Sequence, residues 1–243
     1  MPGWSLLFLW LMSGISRLIV PRMKPHSHNS LALAILSLAM AATLPLSGED
    51  GLDTRDFGVH DDPELIRGIE RHDRGVEGSE SAVDEAIGIL EAFLEESPDN
   101  ALARAYLGSA RTVKARDVAF WNKRRWVERG VETLDAAVKE APRSPRVRLV
   151  RAINAYNLPR MIGRYDLAAE DFAFLLEAIE THPGLLGDDL ERAIYFHAGA
   201  FALKERENAR ALALLEKADA LEGDSPIADQ IDSMLRIARE RNS

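Results

Sequence analysis

The chain has 243 residues, 47% of them hydrophobic and 7% aromatic, and a formal net charge of −9. That length can bury a sizeable core, while the absence of cysteine excludes disulfides, thiolate metal sites, a cysteine nucleophile and a lipidated N-terminal cysteine. Abundant Ala and Leu, with no sustained alternating runs of Val, Ile and Thr, predict an all-α protein.

Residues 31–44, LALAILSLAMAATL, form an apolar run that is short for a membrane span. MKPHSHNS precedes it, with Met23 at its head and Lys24 as its charge, and PLSGEDG follows. A charged start, an apolar segment and then small residues make the pattern of a secretory signal peptide, and Ala39-Met40-Ala41 puts small residues where a signal peptidase reads. A second apolar run lies upstream, from Trp4 to Val20, interrupted by Arg17. Two readings stand for it: translation begins at Met23, or Trp4–Val20 anchors the chain in a membrane. The first carries more weight, because the run is short and holds a cation. The expectation is an exported protein, periplasmic or associated with the cell envelope, whose residues 1–48 are disordered or cleaved.

Residues 49–80 read as an acidic leader with one weak helix from about Pro63 to Arg74, proline being tolerated in the first turn. His60 beside Asp61 and Asp62, and His72 beside Asp73, are expected to be solvated charge rather than a metal site.

From residue 81 to 243 the pattern sharpens. Val83, Ala86, Ile87, Leu90, Phe93 and Leu94 form one apolar helical face, with Ser81 as the expected N-cap. SPDN at 97–100 ends that helix and a second begins near Asn100. LEAFLEESPDN, LDAAVKEAPRSP, FAFLLEAIETHPG and LALLEKADALEGDSP each run an apolar helix into a turn. Pro98, Pro142, Pro183 and Pro226 follow at intervals of 44, 41 and 43 residues. A near-constant period marks a stacked repeat.

These residues resemble the tetratricopeptide-repeat family. Leu107 and Gly108 match the first helix of a repeat, and Leu134, Ala137 and Pro142 its second. Gly163, Tyr165, Ala168 and Phe172 resemble a second helix with its entry turn. Tyr195, Gly199, Ala211, Leu215 and Ala218 fit a whole repeat. The resemblance covers roughly residues 81–222 and implies an α-solenoid, or helical-hairpin array, of TPR-like repeats. The chain departs from the family in its period, which exceeds the usual 34 residues, and in Gly130 and Asp171, which stand where alanine is expected.

Charge is unevenly spread. Residues 104–164 carry 15 basic and 5 acidic side chains, against 4 and 15 in residues 51–103 and 8 and 17 in residues 165–243. Within the basic block, VAFWNKRRWV at 118–127 sets Phe120, Trp121 and Trp126 around Lys123, Arg124 and Arg125. Its bland reading is an extended helix end or elbow whose aromatics pack onto the neighbouring hairpin. Its functional reading adds Arg148, Arg151, Asn154, Arg160 and Arg164 to make one cationic, aromatic-edged patch. Arginine forks suit carboxylates and phosphates, and tryptophan supplies rigid contact area. NAYNLPRMIGRYD at 154–166 reads as an inter-helix connection, with Pro159 ending a helix near Asn157 and Gly163 allowing the next turn.

Signals for catalysis are missing: no Gly-rich phosphate loop, no Gly-x-Ser-x-Gly elbow and no paired-histidine helical motif occur. His197, in AIYFHAGAF, is expected in the core. The function expected is an exported protein-interaction module, a scaffold or adaptor without cofactor or catalysis. Its partner would be a protein or acidic peptide, with anionic lipid headgroups as a further fit and nucleic acid disfavoured by the acidic flanks. The alternative is a periplasmic accessory protein that binds a small anionic ligand.

Overall fold

The computed structural model describes residues 51–53, 62–221 and 227–242. The apolar leader with its two start readings, His60 and Pro226 lie outside these residues. Among those described there are nine α-helices and no strand: α1 Pro63–Val76, α2 Glu80–Glu96, α3 Ala101–Lys114, α4 Phe120–Glu140, α5 Pro145–Asn157, α6 Tyr165–Thr181, α7 Asp188–Lys204, α8 Asn208–Asp219 and α9 Ala228–Asn242. A 3₁₀ turn, Arg160–Ile162, lies between α5 and α6.

Short polar side chains start these helices. The Asp62 carboxylate accepts from the amides of Glu64 and Leu65, with Pro63 in the first turn. Asn100 caps α3 and Ser144 caps α5 in the same manner. The cap of α2 is Ser79 rather than the expected Ser81. Gly78 turns the chain at φ 119°, so the helix starts two residues earlier.

Helices end by a recurring device. Ser97, Ala141 and His182 each precede a proline, and each adopts nearly the same backbone angles: φ −130°, −127° and −132° with ψ 67°, 68° and 65°. The proline ring bars its predecessor from helical ψ, so every such helix stops at the same angle. The periodic prolines thus mark the connections α2–α3, α4–α5 and α6–α7.

Neighbours in sequence pack side by side, α1 on α2, α3 on α4, α5 on α6, α7 on α8 and α9 on α8. The odd-numbered helices also touch in order, α1 to α3, α3 to α5, α5 to α7 and α7 to α9. One continuous apolar core runs through all nine. It includes Leu65, Ile69 and Val76, so the helix foreseen as a weak part of an acidic leader is a packed member of the fold.

Close approach within pairs depends on glycine. A methyl group on Gly130 would lie 2.4 Å from the Thr112 Cγ2 and 2.7 Å from the Gly108 carbonyl oxygen. Thus α3 and α4 touch nearly backbone to backbone, which accounts for glycine at a position where the repeat family carries alanine. Gly68 on α1 and Gly199 on α7 face Leu90 and Leu215 in the same way.

Candidate functional site

From Phe120 on, the aromatic and basic stretch at 118–127 is an extended helix end, the first of the two forms expected, and not an elbow. The turn is confined to residues 115–119, and α4 begins at Phe120 and runs for 21 residues. The extra residues therefore lengthen the N-terminal end of α4. Lys123 closes the joint: its ammonium donates to the carbonyls of Ala115 at 3.1 Å and Arg116 at 2.8 Å. Trp126, three positions on, is half-buried against the core.

Phe120 and Trp121 do not pack on a neighbouring hairpin. They are 83% and 80% exposed. Trp121, Arg124, Arg125 and Glu128 recur at helical spacing on the outer face of α4, all exposed. Arg124 pairs with Glu128 at 2.6 Å along the helix, which raises its pKa, through the side-chain hydrogen bond first and the carboxylate's charge second. Arg125 makes no ion pair with another described residue. The helix start itself is bare: Ala119 offers no capping side chain, and the first turn holds no acid.

Arg148, Arg151 and Arg164 of the expected patch turn inward, while Arg160 stays exposed but paired. Asp171 on α6, fully buried, receives Arg151 through two bonds, Nε at 2.7 Å and Nη2 at 2.8 Å, and the Arg148 Nη1 at 2.7 Å. Burial opposes the Arg151 charge, but the hydrogen bonds and attraction of Asp171 outweigh it and raise the Arg151 pKa. Arg148 also donates to the Pro142 carbonyl and stacks over Phe174, 4.4 Å from the ring centroid. Arg164 pairs with Asp135 on α4, and Arg160 pairs with Glu205 while lying 4.3 Å over Tyr165. Asn154 is buried and donates to the Thr112 hydroxyl, joining α5 to α3. So Phe120, Trp121, Arg124 and Arg125 form one exposed edge, whereas Arg148, Arg151, Arg160, Arg164 and Asn154 bind helices to one another.

Two residues outside the expected set lie at the same end of the array as the edge. Thr112 and Asn154 sit near the C-terminal ends of α3 and α5, and their bond places the turns after those helices at the same end of the array. In the second of those turns Met161 is 87% exposed and Ile162 partly so. The sequence signal was an apolar Met-Ile pair set between Pro159 and Gly163, the latter at φ 74°.

Elsewhere, polar atoms cluster inside. His72, expected in a solvated loop, is buried with Nε2 2.9 Å from the Ser109 hydroxyl and Nδ1 3.3 Å from Asp73, its ring edge-on to Tyr106. Asp, His and Ser in that order have the atoms of a nucleophilic triad. Yet His72 and Ser109 are each 1% exposed, so a substrate has no approach. His197 is a core histidine, as expected. Its Nδ1 lies 3.0 Å from the Tyr156 hydroxyl, and burial pulls its pKa down to about 3. The Lys204 ammonium donates to the Tyr156 carbonyl and to the Asn157 side chain, closing the end of α5, and burial lowers its pKa to about 8 with help from Arg160.

At the opposite end of the array, a cavity of about 410 Å³ lies between the α2–α3 and α4–α5 turns, lined among others by Asp53, Asp99, Asn100 and Ser144. Among the described residues no group of three metal-ligating side chains occurs, and no helix is long and apolar enough to cross a membrane. No family model, no curated protein and no solved structure matches this chain.

Proposed function

We propose that this chain is an exported docking scaffold: a TPR-like α-solenoid that binds a negatively charged counter-surface through the α4 edge and performs no catalysis. The observation that carries the reading is the exposure of Phe120 and Trp121 beside Arg124 and Arg125. Leaving such a ring in water forfeits roughly 2 kcal/mol of burial. A binding partner that covers the rings removes that penalty. The repeated pre-proline angles and the ordered contacts of odd-numbered helices support a solenoid. The signal-peptide pattern at residues 23–48 supports export. The triad-like cluster of Asp73, His72 and Ser109 is closed to solvent, which favours binding over chemistry.

The reading is tested by co-sedimentation with envelope preparations. Arg124→Glu with Arg125→Glu should abolish association, while Arg236→Glu with Arg239→Glu on α9, an equal change of charge, should leave it intact. Equal effects of the two pairs would mean that net charge, not the edge, governs association.

A further inference from the structure

The chemistry of the counter-surface is legible in the shape of the edge. An anchor side chain that binds a folded partner needs a fitted pocket on that partner and a ring of contacts that excludes water. Phe120, Trp121 and Met161 have no walls: each is at least four-fifths exposed, on a helix tip or a turn crest. Tips spread over a helix start and a separate turn reach full contact most simply in a medium that closes around each of them. The bilayer interface is that medium, since aromatic rings settle at headgroup level with their apolar bodies toward the acyl chains. The flanking charges agree. Residues 118–130 hold Lys123, Arg124, Arg125 and Arg129 against one acid, Glu128. Lys123 is spent on the turn, but the arginines stand on the solvent side, where guanidinium forks reach phosphate oxygens.

Resting on the docking reading above, we propose that the α4 edge is a peripheral membrane-docking site for an anionic phospholipid surface. Phe120, Trp121 and Met161 enter the interface, and Arg124 and Arg125 take lipid phosphates. No spanning segment is involved. The tips reach only the headgroup and upper acyl region, and the helical array stands on the surface by its α4 end.

Trp121 is itself the probe. In the full chain with Trp4, Trp10 and Trp126 changed to Phe, it is the sole tryptophan. Its emission therefore reports this edge, whatever the apolar leader does. With vesicles of phosphatidylglycerol and phosphatidylcholine, the emission should move to the blue and be quenched by lipids brominated near the headgroup. Pure phosphatidylcholine should give much less. Arg124→Gln with Arg125→Gln should weaken the response about 30-fold, at about 1 kcal/mol per cation near an anionic surface, with helix content and melting unchanged. Trp121 emission that ignores anionic vesicles overturns the proposal, as does an equal response to pure phosphatidylcholine. If vesicles leave it unmoved but an acidic polypeptide shifts it, the counter-surface is protein and the docking reading survives. If neither shifts it, both readings fall.

Discussion

Asp171→Ala separates the structure from the repeat resemblance, because the two make opposite forecasts. Alanine is the family's residue at that position, so resemblance alone predicts a neutral or stabilising change. In the structure the Asp171 carboxylate is fully buried and receives three charge-assisted bonds of 2.7–2.8 Å from Arg148 and Arg151. Removing it leaves Arg151, whose side chain is 10% exposed, with Asp135 at 3.5 Å as its remaining carboxylate. Arg148 keeps the Pro142 carbonyl and Glu170 at 3.4 Å. Stranding a buried charge in this way costs about 3–5 kcal/mol. With a urea m value of about 2 kcal/mol/M, the unfolding midpoint should fall by about 2 M. The repair is also specific. Asp171→Ala with Arg148→Met and Arg151→Met removes the whole ionic cluster, and most of the loss should return, since apolar replacement of a buried ion set is commonly neutral or better. A single variant that loses less than about 1 kcal/mol, the median scale of a surface pair, or a triple variant no better than the single one, would refute the assignment of these arginines to the interior.

Three further outcomes follow from the packing. His197 has a pKa of about 3 in the folded protein through burial, against about 6.5 unfolded. Between those values the unfolded chain binds the extra proton, so the contribution of a neutral His197 is whole above about pH 6.5 and declines by about 1.4 kcal/mol per pH unit as pH falls toward 3. Urea titrations of His197→Gln should lack that part of the slope, and parallel pH curves for the two proteins would contradict it. Gly130→Ala drives a methyl group to 2.4 Å from Thr112 on the facing helix; a loss of about 1–3 kcal/mol is expected, and an unchanged melting temperature would mean that α3 and α4 lie farther apart. Phe120→Ser with Trp121→Ser should leave stability within about 0.5 kcal/mol, as for other surface changes, while eliminating association with the counter-surface; unfolding of this variant would show that the rings are structural.

Where a local rule sufficed, the sequence could be read directly. Proline forces its predecessor out of the helical region, so Pro98, Pro142 and Pro183 announced three helix ends, and Asn100 with its neighbouring turn announced a start. What was hidden depends on residues far apart in the chain. The arginines of 143–164 have no acid among them, and they looked like one free cationic face. The partners of Arg148, Arg151 and Arg164 are Asp135 and Asp171 on α4 and α6, up to 29 positions away, and that of Arg160 is Glu205, 45 positions away, where no helical spacing predicts them. His72 was hidden for the same reason: its acidic surroundings suggested solvent, but Ser109, 37 positions later, receives it in the core. At 118–127 the residue types were legible and the environment was not. Large rings normally imply packing, and only the geometry of an overlong α4 reveals Phe120 and Trp121 standing clear of the protein.

The most direct test of the account is site-specific photo-crosslinking in cells that express the full chain, with a benzophenone side chain in place of Trp121 in one protein and of Leu185 in another. Leu185 is a suitable reference, an exposed apolar residue in the α6–α7 connection at the opposite end of the array. The account predicts light-dependent adducts, to lipid or to a polypeptide, from position 121 and none from position 185. Adducts from 185 with 121 silent would place the binding surface at the wrong end of the molecule and contradict it.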